Sequence, residues 1–426
     1  MPTMKSTILG PDGRPFDRAT LEEEQGGPTL TGVRSILSDH PAAGLTPARL
    51  AALLRDSEHG DATAYLELAE DMEERDLHYG GVLRTRKLSV SQLPVTVEAA
   101  GTDAASIKAA DLVRAWLASF DFEDMGFDLC DGLGKGFGAV EMMWELSGGE
   151  WLPAEAVYRQ PSWFQFDRVD GRTLRLRDGS ADGADLAPYK WLVHTPRTKS
   201  GLAIRGGLAR AAAWAFLFKS YGVKDWVIFA ETYGHPLRLG RYGPEASAAD
   251  RAVLLRAVRD IGSDAAAIIP KSMDVEFVKA EGSQTSANVY EALCEFWDRQ
   301  VSKAVLGQTT TTDAVSGGHA VAQEHRLVQE DIERADARQL ARTLNRQLVP
   351  ALVSFNLGPQ NAYPKIIIGR PDEADTDKLV KWVQVLVPLG LKVSMAEVRD
   401  KLGLADPDDG EELLTAGGGG PAPTPT

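Results

Sequence analysis

The sequence predicts a mainly helical α+β protein, and three observations lead to that prediction. Apolar residues recur at helical spacing over several long segments, among them residues 65–90 and 319–353. Between residues 138 and 195 the spacing changes to two, which is the period of β-strands. A compact segment with both patterns, residues 235–280, separates two more long helical segments. We therefore expect an α+β module, a pair of long helices and a small α/β insert between them.

Composition and charge limit the classes of function. A chain of 426 residues, 43% hydrophobic and 25% charged, is typical of a soluble globular protein with two or three modules. Its net charge of −15 repels nucleic acid, which disfavours simple electrostatic capture of DNA. Cys130 and Cys294 form no disulfide framework and no C-x-x-C motif, so buried thiols in a reducing cytoplasm are expected. The first residues predict no signal peptide, and the apolar run 211–218 is too short to cross a membrane.

The first half of the chain predicts the α+β module. Residues 1–40, rich in glycine, proline and charge, are typical of an extended arm rather than of a core. A helical stripe then runs from Tyr65 to Arg86, with acidic residues on the outer face. A strand is predicted at 93–99, followed by helices at 107–120 and 125–134. Four more strands are predicted at 139–146, 162–169, 172–178 and 189–195, and the Asp170-Gly171 turn joins the second of these to the third.

The second half predicts long helices. The segment 208–233 is apolar on several sides, so either its own module or neighbouring subunits must cover it. The insert is predicted to contain a strand, a helix and two further strands, and the helix 284–306 follows it. A third long helix at 319–353, a strand at 363–371, helices at 374–388 and 394–402, and a disordered tail at 417–426 complete the chain.

Motifs that would carry catalysis are weak. The stretch GLGKGFG, residues 132–138, lacks the spacing of a phosphate-binding loop and favours a helix cap followed by a turn. His319 and His325 are six residues apart, which does not place them on one helix face as a zinc-binding H-E-x-x-H motif requires. There is no G-x-S-x-G motif. We expect no catalytic residues, no metal and no cofactor; a hydrolase with a His-Asp or serine-based site in the α+β module stays the alternative.

An arginine row recurs every fourth residue along the third long helix, on the side away from its leucines. Surface ion pairing, within or between subunits, is the favoured role, and direct phosphate contact is the lesser one. The row comprises Arg334, Arg338, Arg342 and Arg346.

The loop between the second and third long helices is polar but almost uncharged. It contains Gln308, Thr309, Thr310, Thr311, Thr312, Asp313, Ser316, Gly317 and Gly318. Hydroxyl and amide groups exchange hydrogen bonds with phosphate or water without holding a duplex in place, whereas a basic lining would bind it through counterion release. The glycine pair lets the backbone change conformation. A simple flexible connector between helices is the alternative interpretation.

Four stretches, in matching order, resemble the portal proteins of Mu-like tailed phages and prophages. They are YLELAEDMEERDLHYGGVLRTRKLSV (65–90), ETYGHPLRLGRY (231–242), the block 303–358 that begins KAVLGQTTTTDAVSGGHA, and LGLKVSMAEVRDKLGLADP (389–407). The block 303–358 is the most specific of these, because helical stretches alone are weak signals.

The resemblance implies the portal fold, with a wing, a helical stem, a clip, a tunnel loop and a small crown-like region. The implied ranges are the arm 1–40, the wing 41–207, the first stem helix 208–234, the clip 235–283, the second stem helix 284–306, the tunnel loop 307–318, the long wing helix 319–358, the crown-like region 359–412 and the tail 413–426. Stem contacts between subunits would involve Trp214, Phe218, Trp226, Phe229, Phe296 and Trp297. The arginine row would form ion pairs between subunits.

The resemblance also implies a function and partners. Portal proteins form a ring, usually of twelve subunits, at one vertex of the virion capsid, and double-stranded DNA passes through its channel without sequence specificity. The expected partners are further copies of the chain, the terminase large subunit, head-tail connector or adaptor proteins, and the major capsid and scaffold proteins, with no membrane. Assembly would take place in the bacterial host cytoplasm. Another ring-forming phage connector is the alternative within the same class.

Overall fold

The structure is a computed structural model, and it describes most of the chain. The described residues are 8–37, 39–233, 238–260, 266–270, 283–309, 319–370, 373–391 and 398. The predicted strand within 271–282, the loop residues Thr310 to Gly318, and most of the predicted helix 394–402 lie outside them.

Thirteen α-helices are assigned within the described residues. They are α1 Ala19–Glu22, α2 Pro47–Glu58, α3 Thr63–Arg75, α4 Leu77–Ser91, α5 Ala104–Ser119, α6 Phe122–Leu129, α7 Gly132–Lys135, α8 Leu208–Tyr233, α9 Ala248–Asp260, α10 Ser283–Leu306, α11 His319–Gln347, α12 Val349–Leu357 and α13 Glu373–Leu386.

Twelve strands of the described chain form five small sheets. They are β1 Ile8–Leu9, β2 Pro15–Phe16, β3 Val95–Glu98, β4 Gly138–Ser147, β5 Glu150–Tyr158, β6 Phe164–Phe166, β7 Leu174–Leu176, β8 Ala184–Asp185, β9 Trp191–His194, β10 Arg238–Tyr242, β11 Ala266–Pro270 and β12 Lys365–Ile368. The largest sheets have the orders β5-β4-β9 and β6-β7-β8 and are antiparallel. The mainly helical α+β class is confirmed.

The helical stripe of residues 65–90 is divided into two helices at Asp76. The Asp76 backbone is extended (φ −94°, ψ 98°), and its carboxylate accepts the backbone N–H groups of His78 and Tyr79. An N-cap aspartate satisfies amide groups that would otherwise lack a partner at a helix start. Spacing alone did not predict this break, because both helices keep their apolar residues on the same core.

Strand β5, which contains Pro153, was not predicted. A proline cannot donate to a sheet ladder and is confined to edge strands and bulges. The structure meets both conditions: β5 lies at the edge of its sheet, and the register shifts between Met143 and Trp144, where Trp144 pairs with Pro153.

The predicted helix 319–353 is likewise two helices, α11 and α12. Leu348 separates the two helices with a helical backbone (φ −97°, ψ −55°), and Pro350 lies in the first turn of α12. Proline lacks the N–H that would continue the α11 hydrogen-bond pattern, and it restricts the residue before it. The missing N–H therefore interrupts the helical hydrogen-bond pattern between α11 and α12.

The predicted N-terminal arm contributes to the core over its described residues, which corrects the expectation of an arm outside the core. Leu21 is fully buried in the main hydrophobic cluster. Glu141, which is also fully buried, accepts the backbone N–H groups of Gln25 at 2.5 Å and Gly26 at 2.9 Å. The low apolar content of the arm gave no sign of this contact, because the buried carboxylate comes from distant strand β4.

One continuous hydrophobic core joins α2 to α7, the β5-β4-β9 sheet, α12 and parts of the long helices. Helix α8 enters the core with its first half, from Ala209 to Leu217, and α10 with its last turn, from Val301 to Leu306. The other ends of the two helices lead to the insert, where β10 and β11 pair in parallel and α9 connects them. The two long helices thus form a hairpin rooted in the α+β module.

Candidate functional site

The first candidate region is the helical pair α8 and α10, which we call the stem. Phe218 stacks on Trp297 with 5.8 Å between ring centroids, and Phe229 packs on Tyr290 at 5.9 Å. A Cβ atom at Gly222 would lie 2.9 Å from Leu293, so glycine permits the close approach of the two helices. Aromatic contacts therefore hold the pair together along its length.

An ionic contact fixes the stem to the module. Lys219 of α8 donates to Asp298 of α10 at 2.6 Å and to Asp76, the N-cap of α4, at 2.9 Å. A single ammonium thus joins three helices. The ion pairs set the direction in which the stem leaves the module.

The outer faces of the stem remain apolar and exposed. Val227 is 52% exposed on α8, and Val289 is 59% exposed on α10. Of the residues predicted for subunit contacts, Phe218 and Phe296 are exposed, while Trp214, Trp226, Phe229 and Trp297 are half-buried within the chain. Exposed apolar side chains on both helices of a pair are typical of a protein–protein interface.

The second candidate region is the base of the threonine loop, where α10 ends. Gly307 has a left-handed conformation (φ +72°), and a Cβ atom there would lie 2.8 Å from Ile332 of α11. Gln308 is only 2% exposed, and Thr309 is half-buried. Together with Gly307 they are the members of the predicted loop that lie within the described residues. The described part of the loop is therefore packed between α10 and α11.

Arg86 connects the two sides of this base. Its Nε and Nη2 donate to the carboxylate of Asp336 on α11 at 2.8 and 3.2 Å, and its Nη1 donates to the Val305 carbonyl at 2.6 Å. Both side chains are largely buried. The bidentate pair holds the end of α10 and the body of α11 at fixed positions relative to α4.

We expect Arg86→Met to loosen the base of the loop. Removing the guanidinium leaves the Val305 carbonyl and the Asp336 carboxylate without their donor, which costs about 1–3 kcal/mol. Amide hydrogen exchange of residues 303–309 should rise about tenfold or more. Arg84→Met on the exposed side of the same helix is the matched control. Unchanged exchange in the Arg86 variant would show that α10 holds its end without this contact.

The arginine row is exposed, as its sequence pattern predicts. Arg334 pairs with Asp331 at 3.4 Å along the same helix. Within the described residues, Arg338, Arg342 and Arg346 make no ion pair. These three guanidinium groups are therefore available to an anionic partner.

A buried charge cluster lies in the module, between α3, α4 and α7. Lys135 contacts Asp131 at 2.7 Å, Glu73 at 2.8 Å and Glu70 at 3.0 Å, and Lys87 contacts Asp131 at 2.6 Å. Burial would raise the pKa of Asp131, but the two ammonium groups outweigh it and lower that pKa to about 2. Burial would likewise lower the pKa of Lys135, but Asp131 and its neighbours hold it well above its usual value.

Lys135 belongs to the GLGKGFG stretch, which forms a helix end as predicted. Gly136 caps α7 in a left-handed conformation (φ +98°), where a Cβ atom would collide with the Ala203 carbonyl. The lysine is 2% exposed and compensates buried carboxylates, which leaves it no role in binding a phosphate. Composition alone could not separate these two uses of a lysine among glycines.

A serine–histidine contact joins α4 and α10. His78 Nε2 lies 2.7 Å from the Ser302 hydroxyl. Ser302 is completely buried, however, and the Asp76 carboxylate contacts the backbone N–H of His78 rather than its ring. Within the described residues no aspartate carboxylate contacts the His78 ring, and a buried hydroxyl without such a partner does not suit nucleophilic catalysis. The contact ties the stem to the module.

The described ranges hold no group of three or more histidine, cysteine, aspartate or glutamate side chains that could bind a metal ion. Among the described helices, none is long and apolar enough to cross a membrane. Cys130 is buried and unpaired, and burial raises the pKa of its thiol to about 12.

Comparison with known proteins gives consistent matches. The family model for the portal protein of Mu bacteriophage matches residues 66–404. The Mu-like prophage FluMu protein gp29 of Haemophilus influenzae is 35% identical, and the portal protein of Escherichia phage Mu is 34% identical; each alignment covers 96% of this chain and 80% of the relative.

Solved structures give matches at lower similarity. A chain in the virion of a native gene transfer agent particle matches at 15% identity with a TM-score of 0.43, covering 84% of this chain and 94% of that chain. An HK97 family phage portal protein from Corynebacterium diphtheriae matches at 16% identity with a TM-score of 0.36, covering 70% and 93%.

Proposed function

Since the chain belongs to the family of Mu bacteriophage portal proteins, we propose that its stems pack copy against copy around an axial channel for DNA. The protein is a portal protein of the capsid vertex, a structural component of the phage. The observation that carries the ring proposal is the exposed apolar surface on α8 and α10. In one chain this surface faces solvent, and neighbouring copies in a ring would cover it.

A heterologous ring uses two different surfaces of each subunit, one on either side. The stem offers such surfaces, since Val227 lies on α8 and Val289 on α10. The exposed arginine row on α11 offers a further contact surface between copies, through ion pairs. Twelve copies of the 46.0 kDa chain would give a ring of about 550 kDa.

The threonine loop would face the duplex in this arrangement. Gly307 and Arg86 hold the base of the loop at the end of the stem that is rooted in the module. The uncharged hydroxyl groups of the loop would make weak, exchangeable contacts with phosphates. Buried Gln308 would anchor the loop from inside rather than contact DNA in this conformation. The net charge of −15 fits a channel that lets DNA slide instead of binding it.

The insert β10-α9-β11, at the far end of the stem, would dock the terminase large subunit during packaging and head-tail connector proteins afterwards. Residues of the α+β module would face the major capsid and scaffold proteins. The ring would assemble in the host cytoplasm and stay at the vertex of the virion. The terminase would catalyse the reaction that drives packaging, so we propose no enzymatic activity for this chain.

The test of the proposal is the mass and shape of the purified protein. Light scattering should give a mass of many chains, and negative-stain images should show rings with a central opening wide enough for a duplex. A stable single chain of 46.0 kDa at every concentration and salt would overturn the proposal.

Deleting residues 309–316 should leave ring assembly intact and strongly reduce packaged DNA. The deletion removes the loop but keeps α10, α11 and the Arg86 contacts that hold them. Packaging is measured as nuclease-protected DNA per particle in complemented lysates. Replacing the four threonines with serines, which retain the hydroxyls, is the control. Normal packaging by loop-deleted rings would reduce the loop to a connector.

A further inference from the structure

A basic groove lies between α11 and the loop that follows β9. Its volume is about 640 Å³. Arg197 and Lys199 line it from the loop, and Arg342 and Arg346 line it from the helix. Its described lining contains these four cations and no carboxylate. This concentration of positive charge is unusual for a chain whose net charge is −15.

The groove is held in shape by uncharged side chains. Gln347 donates to the Val193 carbonyl at 2.9 Å and accepts the Val193 N–H at 2.8 Å. Gln339 accepts the Arg197 N–H at 2.6 Å, and His194 contacts Thr343 at 2.8 Å. Because amide and hydroxyl groups make these contacts, the four cations are not used in holding the loop to the helix.

The cations have no ionic partner within the described residues. Other arginines of the module do pair: Arg159 with Glu141, and Arg86 with Asp336. Arg197, Lys199, Arg342 and Arg346 are instead exposed around one groove. Like charges that converge repel one another, so an anionic partner in the groove would stabilise it.

The chain supplies a matching anion. Residues 405–412, ADPDDGEE, contain five carboxylates and no cation. Five acidic side chains against four basic ones give near-complete charge complementarity. We call residues 405–412 the acidic segment.

The course of the chain brings the acidic segment within reach. Strand β12 lies against α11, where the Asn345 side chain exchanges two hydrogen bonds with the backbone of Ile366 at 2.7 and 2.8 Å. Asn345 is adjacent to Arg346 along α11, so β12 packs on the helix at the level of the groove but on a different face. The residues between Leu391 and Asp406, which include the predicted helix 394–402, can span up to about 35 Å. A tether of this kind gives an effective concentration of order millimolar, which offsets the modest affinity of exposed ion pairs.

We propose that the basic groove binds the acidic segment of the same chain. Segment carboxylates would pair with Arg342 and Arg346 on one side and with Arg197 and Lys199 on the other. The contact would fasten the C-terminal region to the module and cover cations that would otherwise attract DNA. It assigns Arg342 and Arg346 to a contact within the chain and leaves Arg334 and Arg338 for contacts between copies. The proposal does not depend on ring formation.

Zero-length cross-linking tests it directly. A carbodiimide joins a lysine amine only to a carboxylate in direct contact, and Lys199 is the one lysine lining the described groove. The full chain should give a peptide pair that links Lys199 to the acidic segment. Its yield should fall by about tenfold when salt is raised to 1 M, where the Debye length is about 3 Å. A mixture of ¹⁴N and ¹⁵N chains should give pairs of a single isotope, which indicates a contact within one chain.

Two variants and a control complete the test. Neutralising the segment (D406N, D408N, D409N, E411Q, E412Q) should raise low-salt binding of a duplex DNA probe, and adding R342Q with R346Q should abolish that gain. The control variant E145Q with E150Q removes exposed acidic side chains elsewhere. It should change neither the yield of the Lys199 cross-link nor the binding of the DNA probe. Mixed-isotope pairs would overturn the proposal in favour of a second copy. Absence of the pair, or loss of rings in R342Q with R346Q but not in the neutralised segment, would overturn it as well.

Discussion

Replacing Val227 or Val289 with aspartate should convert rings of this protein into single chains. Both side chains are more than half exposed in one chain, so aspartate there does not disturb the subunit core. In a ring the same positions would be covered by a neighbour, where an unpaired carboxylate costs several kcal/mol. Because every interface in a closed ring is identical, the penalty recurs at each one.

Light scattering measures the outcome as a fall in mass to 46.0 kDa. The melting temperature of the dissociated subunit should stay close to that of an undisturbed monomer. Val169→Asp is the matched control, since Val169 is 97% exposed on the β6–β7 hairpin, away from the stem. Rings that persist in both stem variants would show that the apolar surfaces on α8 and α10 are not the subunit contact.

Lys135→Met should destabilise the subunit by about 3–5 kcal/mol, because it leaves Asp131, Glu73 and Glu70 near one another with Lys87 as the remaining counter-charge among the described residues. Denaturation by urea at a fixed protein concentration measures the difference in unfolding free energy. Arg14→Met, in a largely exposed pair with Asp12, is the control and should cost less than about 1 kcal/mol.

The loss of unfolding free energy in the Lys135→Met variant, which we call the deficit, should depend on pH in a defined direction. In the native protein the pKa of Asp131 is about 2, below its usual value of 3.8, so this carboxylate stabilises the fold above about pH 4 and loses that contribution as pH falls toward 2. Without Lys135 the cluster pKa values rise, and protonation relieves the repulsion at lower pH. The deficit should therefore be larger at pH 7 than at pH 4.5. An equal deficit at both values would mean that lost packing, not charge, explains it.

Local patterns predicted many elements well. The long helices α8 and α10, the hairpin turn at Asp170-Gly171 and the cap at Gly136 agree with the structure. These elements depend on neighbouring residues: side-chain spacing, turn chemistry and backbone freedom at glycine. Local patterns missed the breaks at Asp76 and Pro350 and the bulged strand with Pro153. The packing of neighbouring helices and the pairing of the sheet decide these features.

The candidate sites depend on residues that are distant along the chain. Arg86 belongs to the apolar stripe of its helix, which is an unusual place for a cation, yet its partners Val305 and Asp336 are more than 200 residues away. Likewise, the groove combines Arg197 with Arg346, and only the packing of α11 on β9 brings them together. Spacing patterns carry no information about such pairs.

By itself the sequence determined the class of fold, the long apolar helices and the family resemblance, because periodicity and composition are properties of contiguous residues. The tertiary structure alone decided which apolar faces stay exposed on the stem, which charges are buried around Lys135, and which cations around α11 lack partners among the described residues. The physical reason is that burial and charge pairing are set by distances between segments, and chain folding fixes those distances only when the whole core is packed.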